Sequence, residues 1–159
     1  MLKKITILVY FFLSFSIYSQ NLKKGIYETE NYTIDVPDTW KSTNDDGIVN
    51  VYPTNEIGAI TISEYHDFIL PKTDIKNFVL SLSHSKEEVD KVKSSSSKKG
   101  YTQYFYEYFD DHQNLFWITK VFHKNNNLYI ISINCEKKYW NGNYMKIFNE
   151  TFDSFKIKK

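Results

Sequence analysis

Three short segments in the first half of the chain alternate between apolar and polar residues, which is the period of a half-buried β-strand. The first, YTIDV at residues 32–36, ends at Pro37, which has no backbone N–H to continue a ladder. Asp38 and Thr39 suit a turn that brings Trp40 back against the sheet. The segments GIVNVYP and GAITISEY follow and predict two more strands, separated by a turn within PTNEIG.

Helical spacing replaces this alternation after residue 70. Four apolar residues at i, i+3, i+4 and i+7 predict one buried helix face: Ile75, Phe78, Val79 and Leu82. Thr73 or Asp74 is the expected N-cap of this helix. Ser85 and Glu88 form a capping box that predicts a short second helix. The following SSSSKKG, residues 94–100, predicts a flexible surface loop.

The second half of the chain predicts three long strands and a helix. The strands, residues 101–109, 115–123 and 127–135, are joined by short turns and are therefore expected to be antiparallel neighbours. The last segment, NYMKIFNETFDSFKI, has the clearest helical pattern, with one predicted face formed by Tyr144, Ile147, Phe148, Thr151, Phe152 and Phe155. Together the elements predict an α+β fold, in which an antiparallel sheet of about six strands packs with two main helices.

The first 19 residues have the features of an export signal. Lys3 and Lys4 precede an uncharged apolar run, and small serines lead to an expected cleavage after Ser19. The run is shorter than the roughly 20 residues that a membrane-spanning helix needs. We therefore expect residues 20–159 to be a single exported domain, periplasmic or secreted, with no membrane span after signal removal.

The charge balance indicates no nucleic-acid or anionic-membrane partner. The chain has 20 Lys and Arg against 19 Asp and Glu, and removal of Lys3 and Lys4 with the signal leaves no excess of positive charge. Cys135 is the single cysteine, so it has no intramolecular disulfide partner. Its position in alternation with Ile131 and Ile133 predicts a buried thiol rather than a nucleophile.

Residues suited to catalysis or metal binding are scattered. DDHQN, residues 110–114, groups two carboxylates with a histidine, and a polar turn between strands is the preferred interpretation. His66, His84 and His123 lie in different segments and lack the i, i+4 spacing of a helical zinc site. The sequence has no nucleophile elbow and no glycine loop for a phosphate. We therefore expect no metal, no cofactor and no catalytic site.

The strand YTQYFYEYF is aromatic on both sides. Tyr104, Tyr106 and Tyr108 share one face, and Trp117 occupies the following strand. Two explanations remain open. Helices covering both faces would make the strand a core element, whereas an uncovered face would dock a protein or apolar ligand through these four aromatic residues.

Two local signatures resemble the PsbP-like fold family. The first is an amphipathic strand that closes in Pro-x-x-Trp, here Pro37 and Trp40. The second is a final amphipathic helix that carries Phe152 and ends in the tripeptide Ser-Phe-Lys, whose middle residue is Phe155. The resemblance implies a layered antiparallel domain. It also implies a protein that binds partners, since the family includes an extrinsic photosystem subunit, a Ran-binding import factor and bacterial exported proteins with no shared active site.

The expected function is an exported, non-enzymatic module that docks another protein through an aromatic sheet face or cleft. An immunity-type or accessory protein is one concrete version. The alternatives are a carrier with an apolar cavity between sheet and helices, and a metal-dependent hydrolase assembled from scattered His and Asp together with Cys135. The oligomeric state does not follow from the sequence.

Overall fold

The computed structural model describes residues 25–82, 91–97, 100–140 and 142–158. The predicted signal peptide, residues 1–19, and the predicted capping box of Ser85 and Glu88 lie outside this part. Within the described ranges, no helix has the length and apolar character needed to cross a membrane.

The described chain forms ten strands, two α-helices and a short 3-10 helix. The strands are β1 (Ile26–Glu28), β2 (Tyr32–Asp35), β3 (Trp40–Asp45), β4 (Ile48–Pro53), β5 (Ala59–Tyr65), β6 (Lys93–Ser96), β7 (Thr102–Asp110), β8 (Leu115–Lys124), β9 (Asn127–Glu136) and β10 (Lys156–Ile157). The helices are α1 (Lys72–Ser81), the 3-10 helix Lys137–Tyr139 and α2 (Asn143–Asp153).

Seven strands form one antiparallel sheet in the order β3-β4-β5-β9-β8-β7-β6, and β2 lies between β1 and β10 in a second sheet. This arrangement confirms an antiparallel α+β fold. The three long strands predicted in the second half are β7, β8 and β9, and they are neighbours in the sheet as expected.

The prediction of one sheet with about six strands differs from the structure, in which the described residues form a seven-strand sheet and a separate three-strand sheet. The strands β1 and β10 are only three and two residues long, which is too short for a period to show. After Trp40, β3 consists of polar residues and lacks alternation. β6 overlaps residues 94–100, which were predicted to be a loop, but its backbone pairs with β7 at the edge of the sheet, where its four side chains are exposed.

The main hydrophobic core lies between the large sheet, the small sheet and α2. We call the side of the large sheet that carries Ile62 and Ile131 its inner face. On α2, Phe148, Thr151 and Phe152 are buried against this core as predicted. The helix face is rotated from the prediction, however, since Ile147 is 43% exposed and Met145 is buried. The side chain of Tyr144 lies outside the described part.

Helix α1 packs on the opposite side of the large sheet, which we call the outer face. Its residues Ile75 and Val79 are buried in a second hydrophobic cluster with residues of β7, β8 and β9. The predicted N-cap is wrong, because the helix begins at Lys72 after Pro71 and has no side-chain cap. Thr73 and Asp74 therefore lie inside the first turn.

Trp40 begins β3 immediately after the turn at Pro37. Its backbone N–H donates to the Pro37 carbonyl over 2.9 Å, which closes this turn. The indole is 8% exposed and its ring centre lies 4.7 Å from that of Phe148 on α2. Phe155, just after α2, packs against Tyr32 of β2 with ring centres 5.1 Å apart. The signature residues thus join the small sheet and the β3 edge to α2.

Candidate functional site

The outer face of the large sheet divides into a covered part and an open part. Helix α1 covers Tyr104 and Val121, whose side chains belong to its hydrophobic cluster. Beyond this cluster, direct cross-strand neighbours form a row that runs from Tyr108 through Trp117 and Asn134 to Ala59. We call these four residues the open row, because each is only half-buried.

The structure separates the four aromatic residues predicted to form a docking surface. Tyr104 and Tyr106 are 3% and 1% exposed beneath α1, so they form core and not an accessible surface. Tyr108 packs at the margin of that cluster, and Trp117 lies opposite it on β8. The two rings are parallel within 3°, with centres 6.2 Å apart. Only Tyr108 and Trp117 therefore remain as candidates for direct contact.

Burial affects the chemistry of Tyr108. Desolvation raises the pKa of its hydroxyl to about 12, and the nearby Asp110 carboxylate and Tyr106 act in the same direction.

The Asp110 carboxylate accepts backbone N–H bonds from His112 and Gln113 over 2.9 and 3.1 Å. The DDHQN segment is thus a polar turn that Asp110 closes, as the preferred interpretation of the sequence predicted.

Trp117 has a polar atom that the described protein does not satisfy. Its Nε1 is buried and has no hydrogen-bond acceptor among the described residues. A buried donor without a partner costs about 1–3 kcal/mol of desolvation.

A hydrogen-bonded polar row lies directly beside the open row. Thr61 donates to the Asn50 amide oxygen over 2.9 Å, and the hydroxyls of Thr119 and Ser132 are 3.0 Å apart. Thr61 and Ser132 are cross-strand partners, so this second row continues from β4 to β8. The four side chains of this second row thus form two hydrogen-bonded pairs on the outer face.

The open row ends in a groove of about 450 Å³. Its walls come from β4, from the β4–β5 turn and from the ends of β8 and β9, through the residues Tyr52, Glu56, Gly58, Ala59, Leu115, Asn134 and Glu136. Gly58 and Ala59 have the smallest side chains at this position, so the sheet surface dips between the larger side chains on either side. The groove therefore follows directly from two residues at the start of β5.

Gly58 is required by the backbone at this point. Its φ is +75°, which favours glycine, and an added Cβ would lie 2.5 Å from the Asn134 carbonyl oxygen. The same Cβ would lie 3.1 Å from the Phe148 ring on α2. Because Gly58 has no side chain, the chain at the start of β5 can approach β9 closely while the Phe148 ring fills the core on the other side.

The groove carries negative charge. Glu56 and Glu136 line it, and none of its lining residues in the described part is basic. Glu56 has a φ of +57°, a conformation that residues other than glycine, asparagine and aspartate adopt infrequently. Lys138, just outside the groove, pairs with the Glu136 carboxylate over 2.9 Å, and hydrogen bonding to Glu136 is the main cause that raises the pKa of this lysine.

Neither Cys135 nor any described histidine lines the groove. Cys135 is buried on the inner face, where desolvation first and the Glu136 charge second raise the pKa of its thiol and disfavour the thiolate. His66 contacts Glu64 over 2.7 Å at the far end of β5, and His84 lies outside the described residues. Among the residues that are described, no three His, Cys, Asp or Glu side chains are grouped as a metal site.

The sequence interpretation missed Glu56, Ala59, Asn134 and Glu136. The sequence did contain one sign of a groove. Gly58 and Ala59 are two adjacent small residues where β5 begins, and larger residues flank them. No local period shows that this pair faces Asn134, because the pairing of β5 with β9 joins segments far apart in sequence.

Comparison of structures identifies the architecture. The cyanobacterial PsbP protein (CyanoP) from Synechocystis, known from a solution structure, is similar with a TM-score of 0.60 and 13% identity, over 84% of this chain and 91% of that chain. The chain has the PsbP-like fold. A crystal structure from Bacteroides thetaiotaomicron is similar with a TM-score of 0.52 and 15% identity, over 80% of this chain and 45% of that one. No protein-family profile matches the sequence, and no curated protein matches it significantly.

Proposed function

We propose that this PsbP-like chain is an exported, non-enzymatic module that docks a protein partner on the outer face of its large sheet. The open row and the groove at its end form the contact surface. Tyr108 and Trp117 are the expected aromatic anchors, and an immunity-type or accessory role is the concrete form of the proposal.

The parallel ring pair of Tyr108 and Trp117 is the observation that carries this proposal. Aromatic residues at the centre of an interface contribute much of its binding energy, because each covers a large apolar area with few rotatable bonds. Both rings are half-buried on strands, so they are held in place before a partner arrives.

The test compares partner capture by surface variants of the exported protein. Trp117→Ala and Tyr108→Ala are each expected to reduce recovery of specific partners from the envelope fraction of the source organism, since interface aromatic truncations often cost about 2 kcal/mol or more. Tyr65→Ala is the matched control, because Tyr65 is an exposed tyrosine at the far end of β5. Equal recovery by wild type and both open-row variants would contradict the proposal.

A small-ligand carrier is the second candidate, and a crevice beside Trp40 favours it. The crevice has a volume of about 150 Å³ and is lined by apolar and uncharged residues: Thr39, Trp40, Pro53, Thr54, Asn55, Ile147 and Phe148. Its size suits one ring or one branched aliphatic group. Titration with indole and cyclohexanol, monitored by NMR at Ile147, tests this function, and an absence of saturable shifts at both ligands would exclude it.

A further inference from the structure

We infer that the groove at the end of the open row binds a cationic side chain, arginine or lysine, of the docked protein. This inference rests on the proposed function and adds the chemical identity of one contact. Arginine is the preferred occupant because its planar guanidinium binds a carboxylate through two parallel hydrogen bonds.

The charges on the groove walls complement such a cation. Glu56 projects from the β4–β5 turn and Glu136 from the end of β9, so the carboxylates belong to two different lining segments. No lysine or arginine is among the described residues that line the groove. A cation in the groove would be attracted by the carboxylates that line it, whereas an anionic group would be repelled.

The chain itself shows that one of these carboxylates accepts an ammonium group. The Nζ atom of Lys138 lies 2.9 Å from Glu136, and both side chains remain largely exposed. Exposed pairs of this kind contribute little to stability, so a second cation can share or replace the lysine. Glu136 is therefore available to a partner although it has an internal contact.

The shape of the groove also fits a long cationic side chain. Ala59 forms a low point beside Gly58, and Leu115 and Tyr52 supply apolar surface around it. The methylene stem of arginine or lysine packs on such surface while the charged head meets the carboxylates. The volume of about 450 Å³ leaves room for one such side chain together with the backbone that carries it.

The direct test uses NMR titration of the exported, purified protein with three capped pentapeptides. Their sequence is Gly-Gly-X-Gly-Gly, with X as arginine, as its neutral analogue citrulline, or as glutamate. Saturable backbone shifts at Glu56, Ala59 and Asn134 are expected with the arginine peptide alone, and they should weaken as salt is added. An absence of shifts with arginine, or equal shifts with citrulline, would overturn the inference.

Variants separate the charge from the shape of the groove. Glu56→Gln and Glu136→Gln are each expected to weaken arginine-peptide binding about two- to fivefold, the range for an exposed ion pair. Ala59→Phe fills the groove and should abolish the shifts, with a thermal melt confirming that the variant folds. Glu150→Gln on α2 is the matched control, since Glu150 is also exposed and pairs with a lysine. Loss of binding in this control to the same extent would show a nonspecific charge effect and overturn the inference.

Partner capture distinguishes this inference from the proposed function. If Ala59→Phe and Trp117→Ala abolish capture while Glu56→Gln combined with Glu136→Gln leaves it unchanged, the docking face stands and the cation contact is wrong. If the arginine peptide binds but none of these variants alters capture, the groove binds cations and the proposed function is wrong.

Discussion

Lys120 of β8 forms an ion pair with Asp153 at the end of α2, and its ammonium also lies 4.3 Å from the ring centre of Phe152. The lysine side chain is 15% exposed, whereas that of Asp153 is 67% exposed. A largely buried cation on the inner face is thus held by one carboxylate and one aromatic ring. This contact fastens the C-terminal end of α2 to the middle of the large sheet.

The two ends of this ion pair should respond differently to substitution. Asp153→Asn leaves the Lys120 ammonium without its counter-charge and is expected to lower the free energy of unfolding by about 1 kcal/mol. Lys120→Met keeps the packing on Phe152 and removes the charge, so it should be close to neutral or stabilising. Urea melts of both variants measure the difference. A larger loss for Lys120→Met than for Asp153→Asn would contradict this account.

Trp40→Ala is expected to lower the free energy of unfolding by about 3–5 kcal/mol, as truncations of large core aromatics do. The indole fills the space between β3 and Phe148, and neither element can move to close the cavity without breaking its own contacts. Denaturant unfolding at equilibrium measures the loss. The matched control is Trp140→Ala, because Trp140 is only partly buried at the margin of the same core and should cost less. A Trp40→Ala protein as stable as wild type would show that the core does not depend on the indole.

Gly58→Ala is expected to destabilise the protein by at least about 2 kcal/mol, because the alanine would combine an unfavourable φ with a collision. The collision is with the Asn134 carbonyl, 2.5 Å from the added Cβ. Gly47→Ala provides the control, since its φ of +83° is similar but no atom lies within 4 Å of its Cβ. Thermal melts should show a clearly larger loss for Gly58. Equal losses would mean that φ alone decides both positions.

Alkaline pH should unfold the protein partly through Tyr108. Its pKa is raised from 10.0 to about 12 by burial, so the unfolded state releases this proton first as the pH rises. The corresponding stability is fully present below pH 10 and is lost as the pH approaches 12. Tyr108→Phe is therefore expected to lose less stability than wild type between pH 9 and pH 11, which urea midpoints at both values measure. Parallel losses in the two proteins would contradict this assignment.

Where local periodicity was strong, the sequence predicted the elements well. The strands β7, β8 and β9 were recognised as long apolar runs separated by short turns, and the helix α2 from the apolar face that it buries. The predictions failed for β3 and β6, which consist mostly of polar residues. These strands pair through backbone hydrogen bonds, which every sequence can form and which leave no pattern in the side chains. The rotation of α2 that exposes Ile147 depends on the packing partners of the helix, and no spacing along the helix reveals it.

The candidate site shows the same division. The amino-acid sequence by itself determined that β7 and β8 carry aromatic residues on both faces, since successive side chains in a strand point to opposite faces. The tertiary structure alone decided that α1 covers Tyr104 and Tyr106 but leaves Tyr108 and Trp117 half-buried. It also decided that Gly58 and Ala59 meet Asn134 to form a groove. The physical reason is that solvent access depends on what packs above a residue, and those atoms come from distant parts of the chain.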